Sequence, residues 1–135
     1  MGEPVLGAKQ IFKPGEPNVI DSVSHQPPLA VVFEDDGQTG YFYALDLSND
    51  ENMILDALHI YDVAIVTDKD RPSEAKIVWS TSGDKVALLI NEYPHAVFDF
   101  SAERGYCRTG FPPSAPTWSQ EGHEWDDSVL KFFSD

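Results

Sequence analysis

The chain has 135 residues, 41% of them apolar and 12% aromatic, with a formal net charge of −14 at pH 7. That length fits one domain, because two cores within it would each be marginal, and the apolar content excludes global disorder. The charge excludes a nucleic-acid or anionic-membrane surface, since phosphate and acidic headgroups would be repelled.

The first residues, MGEPVLGAKQIFKPG, hold no continuous hydrophobic region and carry Glu3, so they do not read as a signal peptide. No apolar run is long enough to cross a bilayer. A cytoplasmic location is the resulting expectation, and Cys107, the single cysteine, permits no internal disulfide. Residues 1–28, with Pro4, Pro14, Pro17, Pro27 and Pro28, read as an irregular arm holding one short strand around Val19 to Val23.

Leu29 to Phe33 is a continuous apolar run with β-branched residues, which predicts a buried strand. Glu34-Asp35-Asp36-Gly37 follows as a turn and Tyr41 to Leu45 as the returning strand, giving a hairpin. Ser48 and Glu51 have the spacing of a helix capping box, although Ile54, Leu58 and Ile60 also fit a strand. His59 to Val66 reads as a strand, and Thr67 to Ser73 as a polar loop. Ile77 to Ser80, a Gly83 turn and Val86 to Ile90 predict a second hairpin. Its returning strand is apolar on both faces, so each face needs a cover. Ala96 to Phe100 is a further strand. Trp125, Val129, Phe132 and Phe133 fall on one stripe of a C-terminal helix over residues 123–133, predicted to dock on the sheet.

The two hairpins align. Val31-Val32-Phe33 matches Ile77-Val78-Trp79, Gly37 matches Gly83, and Ile60 to Val63 matches Val97 to Phe100. Residues 29–66 and 75–108 thus read as two hairpin-plus-strand units, at a period near that of propeller blades. The fold expected is a single mainly β domain, an antiparallel sheet or two packed sheets with a short C-terminal helix.

Acidity is concentrated rather than spread. From Pro14 to Asp68 there is no Lys or Arg, while Glu16, Asp21, Glu34, Asp35, Asp36, Asp46, Asp50, Glu51, Asp56, Asp62 and Asp68 all lie there. One reading is a solvating surface; the other is a docking face for a basic protein. Tyrosines suit interfaces, and Tyr41 and Tyr43 flank the acidic turn, so Glu34, Asp35, Asp36, Tyr41, Tyr43, Asp50 and Glu51 are the candidate partner-binding residues.

Four stretches carry a resemblance: Val31 to Ala44 (VVFEDDGQTGYFYA), Leu58 to Val63 (LHIYDV), and IVWS at 77–80 with AVFDF at 96–100. Together they resemble a small bacterial family of uncharacterised single-domain proteins, a domain of unknown function. The resemblance implies a bacterial, cytoplasmic protein and supplies no activity, cofactor or site.

Catalytic signatures are absent. Cys107 precedes Arg108 but lacks any nucleophile motif and reads as a small buried hydrophobe. Glu34 to Gly37 fails the EF-hand pattern, because the position five residues before Gly37 is Val32. His59 and His95 precede matching strands, with Asp62 and Asp99 close in sequence, so these four are the candidate metal or acid–base set. No cofactor is expected. The leading functional expectation is a non-enzymatic interaction protein, of the immunity or regulatory-inhibitor type, that meets a basic partner. The rivals are a ligand-binding or hydrolytic pocket built from the His/Asp set and a homo-oligomer pairing sheet edges.

Overall fold

A computed structural model of the chain describes residues 4–48, 53–67, 70–110 and 122–133, without the side chains of Phe132 and Phe133. Its strands are β1 (Val5–Phe12), β2 (Asn18–Val23), β3 (Leu29–Asp35), β4 (Thr39–Asp46), β5 (Ile54–Asp62), β6 (Ser73–Trp79), β7 (Lys85–Ile90), β8 (Tyr93–Asp99) and β9 (Arg104–Cys107). All pair antiparallel, in a four-stranded sheet ordered β2-β3-β4-β5 and a five-stranded sheet ordered β1-β6-β7-β8-β9. Among the described residues no helix is long and apolar enough to cross a membrane.

Alternating side chains place one set between the sheets. From the four-stranded sheet come Ile20, Val31, Phe33, Phe42, Ala44, Leu58 and Ile60, and from the five-stranded sheet Ile77, Trp79, Val86, Leu88 and Phe98. Phe42 stacks on Phe98 across the layers with ring centroids 5.4 Å apart. The strands form two meanders, β3-β4-β5 and β6-β7-β8, the latter continued by β9, facing one another across a shared core. Gly37 and Gly83 turn their first hairpins at φ 98° and 79°, conformations that favour glycine.

The arm read as irregular carries two strands. β2 falls where one was expected, and β1 adds itself to the edge of the five-stranded sheet beside β6. Its pattern hid it, because every residue from Val5 to Ile11 is exposed or half-exposed and no alternation develops. Gly7 sits at a register shift where a Cβ would meet Ser22 Oγ and lie 2.7 Å from the Trp79 ring. Trp79 Nε1 donates to Ser22 Oγ over 2.9 Å at that point, tying one sheet to the other.

Two further expectations are corrected. β5 ends at Asp62, and Val63–Ile65 forms a 3-10 turn instead of continuing the strand to Val66. The C-terminal α-helix is a 3-10 segment, Asp127–Phe133. The residues before it are held extended, with Glu124 bridged parallel to Cys107 and the Cys107 N–H donating to the His123 carbonyl. The segment still covers the sheet: Trp125 and Val129 pack on Ala87, Leu89, Val97 and Tyr106, the outward side chains of the five-stranded sheet. Beyond Ser48 the Ser48–Glu51 cap lies outside the described residues, and Asp50 and Glu51 with it.

Candidate functional site

The base-free stretch of sequence becomes one layer. β2 to β5 carry Asp21, Glu34, Asp35, Asp46, Asp56 and Asp62 and no Lys or Arg, whereas the five-stranded sheet carries Lys9, Lys76, Lys85 and Arg104 against Glu74 and Asp99. Register then sorts the outward face of the four-stranded sheet into three cross-strand rows. Val19, Glu34, Tyr41 and His59 form the first; Asp21, Val32, Tyr43 and Ala57 the second; Val23, Ala30, Leu45 and Ile54 the third. Val19, Val23 and Ile54 are more than half exposed. The other sheet has its cover in the C-terminal segment, and among the described residues nothing equivalent lies over this one.

A groove of about 290 Å³ crosses the face, lined by Val19, Val32, Glu34, Tyr43, Leu45 and Ile54. Beside it the Tyr41 and Tyr43 rings stack with centroids 6.0 Å apart, and His59 meets Tyr41 edge-on at 5.5 Å. Burial, then the neighbouring Glu34 carboxylate, raises the Tyr43 phenol above its ordinary value, so the hydroxyl keeps its proton.

The acidic hairpin tip divides into working parts. Asp35 is buried, and its carboxylate accepts from Gly15 N–H (2.8 Å), Gly37 N–H (2.8 Å) and Tyr61 O–H (2.6 Å). It therefore fastens two turns and is not available to a partner. Burial, then this bond to Asp35, raises the Tyr61 phenol well above the usual tyrosine range. Tyr61 can lie where it does because its cross-strand neighbour is Gly40, at which a Cβ would fall 2.8 Å from the ring. Asp36 is exposed and accepts from the Thr39 and Gln38 N–H groups, which hold its carboxyl below the ordinary value. Glu34, Tyr41 and Tyr43 are the sequence candidates that share the outward face.

The His/Asp quartet does not converge. His59 Nε2 lies 3.0 Å from Asp62 Oδ1, and its other ring nitrogen 3.3 Å from Thr109 Oγ1. His95 instead lines a cavity of about 230 Å³ with Tyr61, Ser73, Ile90 and Asn91, and neither His59 nor Asp62 lines it. Asp99, at the opposite end of β8, accepts the Ala102 N–H across the turn to β9. Among the described residues no group of three or more His, Cys, Asp or Glu side chains could hold a metal ion. Cys107 is fully buried in the core.

Burial, then the Arg108 charge, lowers His95 from the usual 6.5 to about 4. Its neutral ring is favoured in the fold, so the unfolded chain takes up the proton first as pH falls. The stability this contributes is complete above about 6.5 and is lost progressively between there and about 4. Replacing His95 with Phe is expected to flatten the urea-midpoint profile across that window, and an unchanged slope would count against it.

Sequence reasoning missed one pair. His123 Nε2 lies 2.7 Å from Asp56 Oδ2, both side chains being buried, where the chain beside β9 reaches β5 of the opposite sheet. No local signal could join residues 67 positions apart.

Residues 12–134 match the family described as uncharacterized protein conserved in bacteria, DUF2251. A relative from Haemophilus influenzae, itself named only as an uncharacterized protein, is 48% identical over 84 residues, which are 62% of this chain and 52% of the relative. The chain thus spans about half the length of that curated relative. No solved structure matches. With the match running through almost all the strands described above, the chain belongs to the DUF2251 family of bacterial proteins.

Proposed function

We propose that this is a non-enzymatic interaction domain that binds a basic protein on the outward face of its four-stranded sheet. The observation that carries the reading is the contrast between the layers: one outward face is covered by the chain's own C-terminal segment, while the other presents Val19, Val32, Tyr41, Tyr43 and Ile54 among carboxylates with, among the described residues, no Lys or Arg. An apolar, tyrosine-bearing centre with a charged surround has the composition of a protein interface. Its uniform sign selects a partner of the opposite sign and speeds their encounter. An immunity-type or regulatory inhibitor of a basic bacterial protein, working in the cytoplasm, is the specific form proposed.

The test is affinity capture from a bacterial extract with the wild type and a Val32→Lys/Tyr43→Lys variant, each at low and high salt. A basic protein retained by the wild type at low salt, and lost both in the variant and at about 0.5 M salt, is the expected result. Retention that ignores salt and both lysines would overturn the reading.

A further inference from the structure

Building on that interaction face, we propose that its groove seats one arginine side chain of the partner, with the aliphatic stem along Val19, Val32, Leu45 and Ile54 and the guanidinium between Glu34 and the Tyr43 ring. The groove's chemistry is that of an amphipathic side chain in negative: apolar walls from Val19, Val32, Leu45 and Ile54, with the Glu34 carboxylate and the Tyr43 side chain among them. At about 290 Å³ it lies at the bottom of the ~300–1,000 Å³ range of small-molecule pockets, which suits a single long side chain better than a metabolite.

Two carboxylates of this layer, Asp21 and Glu34, take no side-chain or backbone donor from the described residues; Asp21 stands exposed, and of the two only Glu34 lines the groove. Asp35 holds the two turns and Tyr61, Asp36 caps its own hairpin, Asp46 accepts from Ser48, Asp56 meets His123 and Asp62 meets His59. Glu34 is half-buried in the groove and takes no hydrogen bond or ion pair from any described residue. Its carboxylate reaches solvent at the groove mouth, and the strands around it hold no Lys or Arg that would compete for it. A partner's cation arriving there would meet no competitor among the described residues of this sheet.

Arginine is favoured over lysine because its planar group can stack on an aromatic ring while forking onto a carboxylate. The molecule seats one of its own in this way on the opposite sheet. The Arg108 guanidinium lies 3.9 Å from the Trp125 ring centroid and 4.6 Å from that of Tyr93, and an Arg108 nitrogen is 3.7 Å from Asp127. The groove beside Tyr43 offers the same pairing of ring and carboxylate with no guanidinium in it.

The experiment is a titration of the full chain, followed by amide NMR, with a blocked Gly-Arg repeat hexapeptide and its Gly-Lys and Gly-citrulline counterparts as probes. The arginine peptide is expected to shift Val32, Tyr43 and Leu45, to bind more tightly than the lysine peptide, and to outbind the neutral citrulline peptide clearly. Glu34→Gln and Tyr43→Leu should each weaken it by about fivefold, the size of one desolvated cation–π or charge contact. Asp70→Asn, which removes the same charge from the loop before β6, should leave binding nearly unchanged. If the shifts fall on this face but Glu34→Gln binds like the wild type, or lysine equals arginine, the seat is wrong and the interaction face survives. If the shifts fall elsewhere, or Asp70→Asn weakens binding as much as Glu34→Gln, both fail.

Discussion

Replacing His123 with alanine is expected to destabilise the protein by about 3–5 kcal/mol, combining the cavity left by the buried imidazole with a buried carboxyl group that loses its hydrogen-bond partner. Asp56 would lose its imidazole partner while remaining sealed between β5 and the chain beside β9. Total stability for a domain of this size is about 5–15 kcal/mol, so the variant would sit near the edge of folding. Urea unfolding measures the loss. The reciprocal Asp56→Ala change should be comparably costly, and the double variant should cost clearly less than the two singles together, because the second removal strands no polar partner. A single variant within about 0.5 kcal/mol of the wild type would show that the pair does not fasten the two sheets.

Phe42→Ala is the second large effect. Phe42 is fully buried and stacks on the equally buried Phe98 of the other sheet, so truncation opens a cavity between the layers. The cost for such a core phenylalanine is about 3–5 kcal/mol. One residue earlier the outcome reverses: Tyr41 points to the outward face, and Tyr41→Ala should cost under about 1 kcal/mol while weakening partner binding. Equal losses at the two positions would contradict the assignment of faces along β4.

The meanders were legible because their strands are long, two-faced and punctuated by glycines that must take positive φ. β1 was not, since an exposed edge strand carries no alternation, and β9 is only four residues long. The spacing of Trp125 and Val129 correctly placed both on a sheet but misjudged the coil beneath them. Four residues return to one side in an α-helix, and a segment pinned by Cys107 meets the same surface without forming one. The candidate face was half visible. The acidic stretch and its tyrosines stand in the sequence, but the rows that set Glu34 opposite Tyr41 exist only once register is known. Asp35 illustrates the opposite error: it looks like surface charge in a turn, and its carboxylate is in fact an internal acceptor for three donors.

The sorting of charge by layer gives the folded chain an electric dipole directed across the sandwich, since carboxylates without cations line one sheet and cations outnumber carboxylates in the strands of the other. In the field of a cationic body such a molecule feels a torque as well as an attraction. It would turn its four-stranded sheet forward before contact, so that encounters begin already oriented. Neutralising a carboxylate on that sheet should therefore slow association at low ionic strength more than neutralising one on the opposite layer, although both change the net charge equally.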